Sequence, residues 1–310
     1  RYGGDMAVSS RQNQNMMNLI RKVHGLVERP DLTKHRQSQD RIGAILGTEK
    51  GIAYEETEVD GMSCEWVKVE RAHLKRYVIL YCHGGGYSTG STVYARTLTT
   101  KLAESTGMDV FCFNYRLAPE CKFPAAAEDA MKAWNYLMYL GYGARDVIVA
   151  GDSAGGNLAL SLTLKLKDEG RMLPRGLALM SPWTDLTQSG DSYVINFERD
   201  PLFGKTKDSM IYNKDYIGDN DPYNAYISPL YGDFRGFPPM LIQVGSIEML
   251  LSDSVSVAAK AREQGVKVRL SVYEGMFHVF QMAYLNIPES KKAWAEAGKF
   301  IDVLRTDSRL

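Results

Sequence analysis

Histidine is scarce in this chain of 310 residues: there are five, and only His278 follows residue 153. Cysteine is scarcer, and Cys64, Cys82, Cys112 and Cys121 form no C-x-x-C pair. Neither a zinc site nor a disulfide framework is expected, and the thiols read as reduced small hydrophobes. Charge of one sign is missing too, since 37 Lys and Arg balance 37 Asp and Glu. With no basic field and no basic cluster interleaved with aromatics, nucleic acid is not expected as a partner. No apolar run reaches the ~18–20 residues of a membrane span, and the first twenty residues lack the basic, apolar, small-residue order of a signal peptide. A cytoplasmic location follows as the expectation.

What is present is the composition of an ordinary globular protein, 45% hydrophobic and 24% charged. Residues 14–45 carry a helical, amphipathic pattern interrupted at Pro30. Glu55–Val59 and Cys64–Val69 flank Asp60-Gly61, a turn that predicts a hairpin. Six strand-like runs follow at Tyr77–Cys82, Asp109–Phe113, Val147–Ala150, Leu177–Met180, Met240–Val244 and Val268–Val272. Helical patterns lie near 93–106, 124–140, 155–168, 206–217, 253–264 and 288–304. The alternation predicts one α/β domain over 1–310, with an eight-stranded, mostly parallel sheet covered by helices on both faces. The connection at 183–238 is far longer than a crossover needs. A cap over the carboxyl edge of the sheet is expected from about 1–45 and about 185–225.

Ligands in such sheets bind beyond the carboxyl ends of the strands, which directs attention to the residues that follow each one. After Val147–Ala150 stands Gly151-Asp152-Ser153-Ala154-Gly155-Gly156, with a helix beginning at once. G-x-S-x-G between strand and helix is the nucleophile elbow, a turn so tight that glycine is needed two residues either side of the exposed serine. After Tyr77–Cys82 stands His83-Gly84-Gly85-Gly86-Tyr87. Three glycines there let the backbone approach a bound carbonyl and turn N–H groups toward a developing oxyanion. His83 precedes the glycines and reads as a structural hydrogen-bonding residue.

A serine needs a base, and in this arrangement acid and base follow it in the order Ser, acid, His. His278 is then the base by both order and position, in the loop after the last strand. The acid is expected after the penultimate strand, which leaves Glu248 and Asp253. Asp253 opens a helix, where a carboxylate simply favours the helix N-terminus, so Glu248 is preferred.

With these residues assembled, the chain resembles the bacterial hormone-sensitive-lipase-like (family IV) esterases of the α/β-hydrolase superfamily. The resemblance rests on His83-Gly84-Gly85-Gly86, Asn114 to Glu120, Phe123-Pro124-Ala125-Ala126, Gly151 to Asn157, Ser181-Pro182-Trp183-Thr184-Asp185 and the stretch ending at His278. It implies a serine carboxylesterase for short- to medium-chain acyl esters, acting on a small-molecule ester without cofactor or metal, and a possible homodimer. By position in the family motif, the N–H groups of Gly85, Gly86 and Ala154 form the oxyanion hole. Glu248 falls where most members carry Asp, with Asp253 as the other candidate. The same triad would also serve an amidase or lactonase, and the same fold could serve as a ligand-binding receptor without catalysis.

Overall fold

In a computed structural model, residues 11, 13–18, 31–203, 213–283 and 287–309 are described. Eight strands form one sheet: β1 Ile52–Val59, β2 Met62–Val69, β3 Val78–Cys82, β4 Asp109–Phe113, β5 Val147–Asp152, β6 Gly176–Met180, β7 Met240–Gly245 and β8 Val268–Tyr273. Their order is β1-β2-β4-β3-β5-β6-β7-β8. The hairpin β1-β2 and the pair β2-β4 are antiparallel, and every pair from β4 to β8 is parallel. The long helices, in chain order, are α1 Leu32–Leu46, α2 Thr92–Thr106, α3 Ala125–Tyr139, α4 Ala154–Asp168, α5 Leu251–Glu263 and α6 Pro288–Thr306.

Alternation along β3 explains why its apolar run is unbroken. Val78, Leu80 and Cys82 pack into a core with Trp134 of α3, Leu158 of α4 and Val257 of α5. Ile79 and Tyr81 face the opposite layer, with Leu98 of α2 and Ile301 of α6. A strand covered on both faces has no position left for a polar residue. Burying each such Leu, Ile or Val contributes about 1.5–3 kcal/mol. Cys64, Cys82 and Cys112 are free thiols inside these layers, and burial pushes the Cys64 thiol up to about 12. Among the described residues no helix is long and apolar enough to cross a membrane.

The helical pattern expected at 14–45 is described at 13–18 and in α1, with 19–30 outside the described residues. Asp31 sets the start of α1 by accepting hydrogen bonds from Thr33 N and Lys34 N at its N-cap. Side chains of α1 then fasten it to the loops after β3 and β4. Arg36 donates to Ser88 O (2.8 Å) and Ala118 O (2.9 Å) and pairs with Glu120, Gln39 accepts from Gly90 N (2.9 Å), and Asp40 accepts from Ser91 Oγ. Among its described residues the long connection between β6 and β7 is mostly irregular, with helical turns at Ser192–Ile195, Lys214–Ile217 and Pro229–Tyr231. The expected helix at 206–217 thus survives, among described residues, only as its last turn; residues 204–212 lie outside them.

Candidate active site

Ser153 stands between β5 and α4 with φ 52° and ψ −120°. An L-residue is held there only when its surroundings leave no alternative. Those surroundings are the carboxyl end of β3. A Cβ on Gly155 would lie 1.9 Å from Cys82 O, and one on Gly151 would lie 2.8 Å from the same oxygen. The elbow is therefore glycine on either side of the serine because α4 begins in contact with the β3 backbone. Gly155→Ala is expected to lower stability by about 3 kcal/mol, at the upper end of overpacking costs. Thermal unfolding checks it.

The loop after β3 meets the elbow through Asp152, whose carboxylate accepts from Gly84 N (3.0 Å) and Tyr81 OH (2.6 Å). Burial raises the Asp152 carboxyl, and these donors oppose the shift. His83 is buried, stacked on Tyr115 with centroids 4.1 Å apart, and its Nδ1 bonds Gly84 O at 2.8 Å. Burial pushes His83 down to about 4, so the ring is neutral at pH 7 and Nδ1–H is the donor. In a trans peptide, C=O and N–H point opposite ways. With Gly84 O turned to His83, the Gly85 N–H faces the other side. Gly85 O is likewise occupied by Ser88 N (3.1 Å) and Thr89 N (2.9 Å), and Ser153 O by Trp183 N (3.0 Å), which turns the N–H groups of Gly86 and Ala154 away from those carbonyls.

His278 lies beyond β8, with Nε2 2.9 Å from Ser153 Oγ and Nδ1 2.7 Å from Glu248 Oε1. Glu248 follows β7 and is fully buried. Its second oxygen accepts from Ser181 Oγ at 2.8 Å and from Gly245 N. Ser181 in turn accepts from Val279 N (3.1 Å), the residue after His278. Asp253 is elsewhere. It lies in the first turn of α5, and its carboxylate accepts from Thr184 N (2.8 Å), Asp185 N (3.0 Å) and Tyr193 OH (3.0 Å). Burial pushes this carboxyl up to about 8 against those donors. It holds the start of the long connection and makes no bond to His278.

A pocket opens over the serine, walled by Gly85, Gly86, Trp183, Leu202, Phe203, Leu250 and His278. Among the described residues no group of His, Cys, Asp and Glu is arranged to hold a metal ion.

The model for the alpha/beta hydrolase fold matches residues 79–282. An esterase of Acinetobacter venetianus is 39% identical over 248 residues, covering 80% of this chain and 81% of that protein. An acetyl-hydrolase of Streptomyces hygroscopicus is 37% identical over 239 residues, covering 77% and 79%. A crystallised esterase of the bacterial hormone-sensitive lipase family superposes with a TM-score of 0.88 at 33% identity, over 96% of this chain and 99% of that one. The chain belongs to the bacterial hormone-sensitive-lipase-like esterases of the α/β-hydrolase fold. A further member, a hormone-sensitive lipase from a metagenome library, gives a TM-score of 0.89 at 34% identity, over 97% and 99%. The protein is a carboxylic ester hydrolase.

Of the aromatics in the esterase's long connection, Phe203 lines the pocket, its ring edge-to-face with His278 at 4.7 Å. Tyr216 is stacked on Tyr87 in the core, Tyr193 bonds Asp253, Phe197 is half-buried against the core, and Tyr212 lies outside the described residues. Ser181 is legible in the sequence only as part of a family motif, and its bonds to Glu248 and to the loop of His278 are not. Its φ of 47° immediately after β6 is a strain no residue pattern advertises.

Proposed function

We propose that the esterase cleaves short- to medium-chain acyl esters through an acyl-enzyme, with Ser153 as nucleophile, His278 as general base and Glu248 as the acid that orients it. The observation that carries this reading is the continuous line from Glu248 Oε1 through both ring nitrogens of His278 to Ser153 Oγ, at 2.7 and 2.9 Å. Ser153 Oγ attacks the ester carbonyl as His278 Nε2 takes its proton, and buried Glu248 stabilises the imidazolium so formed. The N–H groups of Gly85, Gly86 and Ala154 receive the oxyanion, supported by the opposed orientation of their neighbouring carbonyls. His278 then protonates the leaving alcohol. Water, deprotonated by His278, attacks the acyl-enzyme and releases the acid with Ser153 restored.

The cap is read as α1 together with the long connection, since Gln39 of the one and Leu202 and Phe203 of the other line the same pocket. Every group in the mechanism comes from one chain, so the reading depends neither on a homodimer nor on a cytoplasmic location. The test is hydrolysis of p-nitrophenyl esters from acetate to palmitate. Bulky walls at Trp183, Leu202 and Phe203 favour short chains. The expected result is a maximum of kcat/KM at short acyl chains and a fall of at least about 100-fold by palmitate. A flat profile would overturn the acyl preference.

A further inference from the structure

Two side chains of the long connection grip the peptide bond that follows the proposed catalytic acid. Asn196 and Asp200 lie one helical turn apart, joined by the bond from Asp200 N to Asn196 O (2.8 Å), so both project from one face. Asn196 Nδ2 donates to Glu248 O at 2.7 Å, while Asp200 Oδ2 accepts from Met249 N at 2.7 Å. Those are the two polar ends of a single peptide unit. Asn196 also reaches Ser246 O (3.1 Å).

The other oxygen of Asp200 faces the pocket wall. Oδ1 accepts from Leu202 N (2.8 Å) and Phe203 N (3.1 Å), which fixes the turn that sets Leu202 and Phe203 over the serine. An aspartate capping its own turn needs only one oxygen, and asparagine or serine would do as well. The second oxygen, bonded across 49 residues of sequence, is what a carboxylate adds here. Asp200 is itself 2% exposed, and a buried carboxylate persists when its oxygens are this fully satisfied.

We infer that Asp200 is a positioning residue that couples the pocket wall to the acid of the triad, so that substrate contacts at Phe203 and the placement of Glu248 against His278 are set by one side chain. The inference rests on Ser153, Glu248 and His278 acting as proposed above. Asp200→Asn discriminates, because an amide offers one oxygen and one NH2 group. The turn, with two N–H groups, claims the oxygen, and the NH2 then opposes Met249 N–H.

The experiment measures kcat and KM on p-nitrophenyl acetate and hexanoate for Asp200→Asn, Asn196→Ala and wild type, with thermal melts to establish folding. Asp200→Asn is expected to lower kcat about 10- to 100-fold on both esters, the scale of a displaced catalytic group. It should also change the hexanoate-to-acetate ratio of kcat/KM at least about threefold, as the wall is no longer locked to the acid loop. Asn196→Ala, which releases the acid loop while the turn at Leu202 and Phe203 keeps its cap, should lower kcat and leave the ratio unchanged. A wild-type kcat in Asp200→Asn overturns the proposal, and so does a lowered kcat with an unchanged ratio. Should Asp200→Asn not fold, Asp200→Ser, whose hydroxyl keeps the turn, is read by the same criteria. Ser153→Ala in parallel separates the failures: activity there overturns the triad, whereas its inactivity beside an unaltered Asp200→Asn overturns the coupling alone.

Discussion

Ser153→Ala is expected to lower kcat/KM on p-nitrophenyl butyrate by about five orders of magnitude, leaving the thermal unfolding midpoint at or above that of the wild type. The side chain lost is a single hydroxyl whose described partner is His278 Nε2, so little packing goes with it. What goes is the atom proposed to form the acyl bond. His278→Ala should cost about as much, and the double variant little more than either, because nucleophile and base act as one unit. Near-additive losses would mean that Ser153 and His278 work independently, and retention of most activity in Ser153→Ala would remove the mechanism altogether.

Glu248→Ala and Asp253→Ala should separate by their effect on turnover. For Glu248→Ala, kcat is expected to fall about 10³- to 10⁴-fold, the scale seen when the orienting acid of such a triad is lost. His278 Nδ1 would then have no acceptor, and Ser181 Oγ and Gly245 N would lose theirs. Asp253→Ala instead strands two backbone N–H groups and a tyrosine hydroxyl in a buried place. It should cost about 3 kcal/mol or more of stability, at about 1–3 kcal/mol for each unsatisfied group with partial relaxation. Its kcat at a temperature where it is folded should stay within about tenfold of wild type. A folded Asp253→Ala without turnover, beside an active Glu248→Ala, would transfer the acid role to Asp253.

Much of the architecture was legible because it is written in local patterns. Runs such as Val147–Ala150 and Leu177–Met180 are apolar without interruption, and only a strand covered on both faces requires that over so short a length. Asp60-Gly61 marked the hairpin, and both residues have positive φ in the structure. Chain order also narrowed the acid to two candidates. A carboxylate at a helix start has a reason of its own to be there, and Asp253 lies in the first turn of α5. Its backbone partners, Thr184 and Asp185, could not be read, since they are almost seventy residues distant and leave no side chain to pair with. The same reason hides Ser181, Asn196, Asp200 and Gln39. Each bonds a main-chain atom or a distant carboxylate, and a main-chain atom leaves no residue type in the sequence to pair with.

The backbone at Ser153 carries one more implication, for anyone who would engineer this enzyme. At φ 52° and ψ −120° the position suits glycine and strains every other residue, by about 1–3 kcal/mol. On the proposed mechanism, the substitution that best relieves the chain at this point is therefore the one expected to abolish turnover. Selection for expression or heat resistance alone would drift toward inert protein here, and only a screen that also demands hydrolysis would keep the serine.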